Sequence, residues 1–183
     1  LAIRESRQGR SEPERSLLDL AISAKSRGDH HTADHLYRQA LDRNPRSWKV
    51  AREYAEFQRH QRNDVTSALR LYEQAAANCP RRGSERALVY REWGMLLRAG
   101  GEADSTDRAI ACFEQALAES EHDAVAAHAL ASMLSRKGQY RRVIALMEPF
   151  LTIGSTKTRE LAAAILIAAY EKTGDQIKAL ELR

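Results

Sequence analysis

Three phrases of this chain are near copies of one another: YRQALDRNP at residues 37–45, YEQAAANCP at 72–80 and FEQALAESE at 113–121. They recur at intervals of 35 and 41 residues. A polar turn precedes each, RGDHHTA (27–33), RNDVTSA (62–68) and the longer GGEADSTDRA (100–109). Two more turns of that kind follow, KGQYRRV (137–143) and TGDQIKA (173–179). The turn markers Gly28, Asp64, Gly101, Gly138 and Gly174 are spaced 36, 37, 37 and 36 residues apart. A fixed period of this size is the signature of a repeat architecture. Five helix–turn–helix units are expected.

Each unit reads physically. Leu17, Leu20, Ala21 and Ala24 form one stripe at helical spacing, with Ser11 and Glu14 placed as a capping box and Gly28 ending the helix. The second helix sets Ala33, Tyr37, Ala40 and Leu41 inward until Pro45 stops it. Small alanines let paired helices approach, and Tyr37, Tyr72, Phe113 and Met147 fill the space between neighbouring pairs. No unit buries that face alone, but stacked units do.

The composition agrees. Hydrophobic residues make up 43% and charged residues 30% of 183 positions, a globular balance. No apolar run reaches the roughly 18 residues of a membrane-spanning helix, so no membrane role is expected. No signal-peptide pattern opens the chain, and Cys79 and Cys112 stand 33 apart without a CxxC partner. Reduced thiols and a cytoplasmic location fit that pattern. Charge is uneven: residues 1–98 carry 19 Lys/Arg against 13 Asp/Glu, residues 99–183 carry 10 against 12, and arginine outnumbers lysine 23 to 6.

The repeats resemble the tetratricopeptide repeat family. Tyr90, Trp93, Gly94 and Leu97 match the first half of the family pattern, and Ala109, Phe113 and Ala116 the second. Ala33–Tyr37–Ala40–Pro45 and Ala68–Tyr72–Ala75–Pro80 repeat it; the fourth unit has Val143 and Phe150 where Ala is usual. The second unit, through Tyr54-Ala55-Glu56-Phe57, is also similar to the half-a-tetratricopeptide repeats of RNA-processing scaffolds. The resemblance implies an all-α, right-handed α-solenoid over residues 12–183, after a leader at 1–11, with units at about 14–47, 48–82, 87–123, 124–157 and a truncated 160–183. Truncation is expected to expose Ile165, Leu166 and Leu180, to be covered by a capping helix or by self-association.

Family first helices line a concave, peptide-binding groove. Carried over by position, its lining includes Arg15, Leu18, Ile22 and Lys25 in the first unit, Lys49, Arg52 and Arg59 in the second, and Leu88, Arg91, Met95 and Arg98 in the third. The fourth unit adds Val125, His128 and Arg136, and the fifth Leu161. Arginines beside low-dielectric walls attract carboxylates or phosphates, so an acidic or extended protein segment is the expected partner, held by the docking or sensor arm of a larger protein. Leu18 and Ile22 stand where chaperone-binding members carry Lys and Asn, which argues against that role.

Enzyme signatures are missing: no GxxxxGK[ST], GxGxxG or GxSxG occurs. No catalysis, cofactor or metal is expected. His31 and His35, four apart beside Asp34, read as a solvated face, and Glu102, Asp104 and Asp107 as a lengthened turn. RNA or DNA binding is the alternative, suggested by the basic first half; it needs exposed aromatics for stacking, and Trp48 is the candidate. A structural or oligomerisation spacer is the third reading.

Overall fold

The computed structural model describes residues 12–80, 82–100 and 103–183, with no account of the side chains at 12–15 and 103–104. The expected leader, the Ser11 cap and the Gly101–Glu102 part of the long turn lie outside the described residues. Among the described residues every regular element is helical. The chain divides after Cys79 into two compact units.

The first unit holds α1 (Glu12–Ser26), α2 (His30–Arg43), α3 (Trp48–Phe57) and α4 (Val65–Asn78). α1 packs on α2, and α3 on α4. The turns carry the helix-start chemistry that the repeated Asp promises. Asp29 accepts from the Thr32 amide and Asp64 from the Ser67 amide, each satisfying an orphan donor at the start of a second helix. Bonds from Thr32 hold the Asp29 carboxyl below the usual range, and bonds from Ser67 do the same for Asp64. Their capping contribution is therefore present above the ordinary Asp pKa and is lost as pH falls through the lowered one. At the end of α3 the helix widens into a single π-turn over Gln58–Arg62, and Asn63 closes it in the left-handed region at φ 55°. Asn tolerates that conformation better than other non-glycine residues, which explains a turn that carries no Gly.

The second unit holds α5 (Ser84–Gly100), α6 (Ala103–Glu119), α7 (Ala124–Arg136), α8 (Tyr140–Met147), α9 (Thr156–Thr173) and α10 (Gln176–Glu181). α8 tightens into a 3₁₀ turn at Glu148–Leu151, with Pro149 in its first turn. α5 packs on α6, and α7, α8 and α9 each pack on the next. Gly174 ends α9 with φ 86°, a left-handed position that favours glycine, and Asp175 caps α10 through the Lys178 amide.

The repeated phrases form the cores. Ala33, Tyr37, Ala40, Ala68, Tyr72 and Ala75 are fully buried in the first unit, and Ala109, Phe113 and Ala116 in the second. Tyr37 stacks on Tyr54 at 5.2 Å between ring centres and tilts against Phe57 at 5.5 Å. The Tyr54–Phe57 phrase that singled out the second repeat is thus an aromatic seat for Tyr37. The Tyr37 hydroxyl is buried without a hydrogen-bond partner among the described residues, and burial drives its pKa upward. Tyr37→Phe is therefore expected to leave stability unchanged or raise it by about 1 kcal/mol. Urea unfolding checks this, and a loss larger than about 1 kcal/mol would mean that the hydroxyl has a partner after all.

Two expectations about burial fail. Leu166 is fully buried and Ile165 half-buried, because α9 packs on both α8 and α10. Leu180 is exposed as expected, at 64%, and Ile177 joins it at 73%. Asp34, read as part of a solvated face, is buried, for reasons given below.

Candidate partner-binding site

The expected groove residues separate into three groups. The first is held by acidic neighbours. In the first unit, Glu53 on α3 lies 3.5 Å from the Lys25 ammonium and 2.9 Å from the Arg52 guanidinium, so one carboxylate answers two cations. In the second unit, Arg91 on α5 donates to Asp123 at 2.9 Å. Asp123 also caps α7 by accepting from the Val125 and Ala126 amides. Arg91 therefore ties α5 to the start of α7. These arginines are part of the scaffold before any partner arrives, and a ligand carboxylate would have to compete with a carboxylate already seated.

The second group consists of cations with no ion-pair partner among the described residues: Arg59 in the π-turn, Arg98 in the last turn of α5 and Arg136 in the last turn of α7. Arg59 and Arg98 are half-buried and Arg136 is exposed. Lys49 sits with its ammonium 5.2 Å from the Trp48 ring, and Trp48 itself is half-buried rather than open. The Arg15 side chain lies outside what is described. Leu18, assigned to the groove by position, is 1% exposed and belongs to the core.

The third group frames a cavity. His128 on α7 lines a pocket of about 230 Å³ with Val125, Met147, Phe150, Lys157, Thr158 and Leu161. Val125 and Leu161 are 51% and 41% exposed, so two aliphatic side chains present themselves at its wall. Phe150 and Met147 are buried beneath. The geometry follows from a local irregularity. Pro149 tightens the end of α8 into the 3₁₀ turn, which delivers Phe150 to the pocket, and Ser155 then caps α9 through the Thr158 amide. The lining is aliphatic and aromatic, with His128 and Lys157 as its two basic groups. Such a site seats an apolar side chain and offers the Lys157 ammonium to a neighbouring carboxylate. Leu88 and Met95, the other apolar positions expected in the groove, are half-buried on α5.

Sequence reading reached Val125, His128 and Leu161 through repeat position and missed Phe150, Met147 and Lys157. The signal was there in Phe150, a large residue where the repeat pattern has Ala.

Among the described residues no group of three or more His, Cys, Asp and Glu is arranged to hold a metal ion. Both cysteines are free and buried; the Cys79 thiol points to the Ala76 carbonyl at 3.3 Å, and burial pushes the Cys112 thiol up to about 12. No helix of the described residues is long and apolar enough to cross a membrane.

Comparison with known proteins places the fold. The family described as anaphase-promoting complex, cyclosome, subunit 3, matches residues 102–181. Among solved structures, MamA matches with a TM-score of 0.74 at 18% identity, over 93% of this chain and 88% of that one. YrrB, described as a TPR protein with an unusual peptide-binding site, matches with a TM-score of 0.72 at 14% identity, over 93% and 84%. Yeast Tom70 matches with a TM-score of 0.73 at 20% identity, over 93% of this chain and 36% of that one. Comparison with curated protein sequences finds no match. With its recurrent Ala–aromatic–Ala cores and capped helix hairpins, the chain has an all-α repeat fold of the tetratricopeptide type.

Proposed function

We propose that the chain is a protein–protein interaction module, and that its partner is an extended segment that seats an aliphatic side chain in the α7–α9 pocket beside an acidic residue. The pocket carries this reading: an open apolar cavity with two exposed aliphatic residues at its wall and His128 and Lys157 beside them. An exposed aliphatic pair bordering a cavity marks a docking position more specifically than scattered surface apolar residues do. The acidic character of the partner rests on those two basic groups and on Arg98 and Arg136, which have no ion-pair partner among the described residues.

The reading moves the weight of recognition away from Arg52 and Arg91. Both have work inside the fold, so charge reversal there tests stability as much as binding. Nucleic-acid binding is not favoured, because no Tyr, Trp or Phe among the described residues is fully exposed to stack a base.

Capture from a nuclease-treated lysate of the source, with the chain beside a Val125→Glu, Leu161→Glu double variant, tests it. Both positions are exposed, so the variant is expected to keep the helical signal in circular dichroism. A protein held by the parent chain and weakened at least about tenfold in the variant is the expected outcome. Equal capture by both would overturn the assignment to this pocket.

A further inference from the structure

A second cavity lies wholly within the first unit, away from the pocket above, and its chemistry is of the opposite kind. It has a volume of about 680 Å³ and is lined by three arginines: Arg38 from α2, Arg62 from the π-turn and Arg70 from α4. That volume falls in the range of small-ligand sites, about 300–1,000 Å³.

Its back wall is built and fixed. Buried Asp34 accepts from the Tyr54 hydroxyl at 2.7 Å and from the Gln58 amide at 3.0 Å. Arg38 completes the network, with its Nη2 2.6 Å from the second Asp34 oxygen and its Nε donating to the Tyr54 oxygen at 3.1 Å. One edge of that guanidinium is thereby locked. Arg62 makes no hydrogen bond or ion pair among the described residues, and Arg70 makes only a long 3.5 Å contact with the Ser67 hydroxyl. Three arginines thus line the cavity against one carboxylate. Its one lining carboxylate, Asp64, is occupied in part by the Ser67 amide.

Two guanidinium forks, Arg62 and Arg70, together with the edge of Arg38 that faces away from Asp34, suit a tetrahedral group with several equivalent acceptor oxygens better than a planar carboxylate with two. The lining offers little apolar surface for a base or lipid tail. Leu71 is nearly buried, and the Tyr54 ring is already stacked on Tyr37. We propose that this cavity is a binding site for a compact small-molecule polyphosphate, of which inorganic pyrophosphate is the smallest representative.

Calorimetric titration of the chain with pyrophosphate at low ionic strength tests the proposal. Saturable one-to-one binding is expected, and an Arg62→Ala, Arg70→Ala double variant should weaken it by at least about tenfold, since hydrogen bonds to charged groups contribute about 1.5–3 kcal/mol each. Both arginines are exposed, so the variant's helicity should match the parent's. Asp64→Asn keeps a good helix cap and removes the charge of the one lining carboxylate, so it should bind pyrophosphate more tightly than the parent, an effect that a purely structural role for Asp64 would not produce. Absence of saturable binding, equal binding by the double variant, or equal affinity for citrate would each overturn the proposal.

Discussion

Phe113→Ala is expected to lower the unfolding free energy by about 3–5 kcal/mol, the largest effect of any single truncation considered for the second unit. Phe113 is fully buried between Ala109 and Ala116 on α6, and it faces Gly94 on α5. A methyl group at Gly94 would stand 3.0 and 3.1 Å from two carbons of the Phe113 ring and 3.2 Å from Cys112 Cβ. Gly94 is thus a packing glycine, absent of side chain so that the ring of the facing helix can sit against its backbone. Gly94→Ala gains helix propensity of about 1 kcal/mol but forces the ring to move, which costs about 1–3 kcal/mol. The two changes should therefore be non-additive: with Phe113 already truncated, Gly94→Ala should become neutral or stabilising. A double-mutant cycle by chemical denaturation measures the coupling, and additivity within about 0.5 kcal/mol would show that the ring is free to shift.

Asp34→Ala is the second large effect, expected at about 3–5 kcal/mol. The carboxylate ends two hydrogen bonds from α3 and its π-turn and one ion pair from its own helix. Removing it leaves the Tyr54 hydroxyl and the Gln58 amide buried without their acceptor, and that desolvation, rather than the lost attraction, supplies most of the cost. Asp34→Asn keeps an acceptor in place and should cost clearly less. Thermal and urea unfolding of the two variants separates these cases; equal losses would mean that the charge on Asp34, not its acceptor oxygens, is what the network needs.

The sequence by itself determined the architecture, and the reason is periodicity. Ala33–Tyr37–Ala40, Ala68–Tyr72–Ala75 and Ala109–Phe113–Ala116 put small and aromatic residues on one face at 3 and 4 spacing, and each triplet is fully buried. Burial of this kind is set locally, by which face of a helix a residue occupies. The turns were legible for the same reason: Asp29, Asp64 and Asp175 reach amides only three residues ahead. What the tertiary structure decided is which polar groups meet. Arg91 and Asp123 are 32 residues apart, Gln58 and Asp34 are 24 apart, and neither pairing is written in a local spacing. The groove positions carried over from the repeat pattern could say which helix face a residue lies on, but not whether its charge was already answered. Leu18 and Leu166 show the same limit for apolar residues, since whether a stripe position is covered depends on the crossing of neighbouring helices. The arginine-lined cavity of the first unit, to which three elements contribute, exists only once those helices are packed.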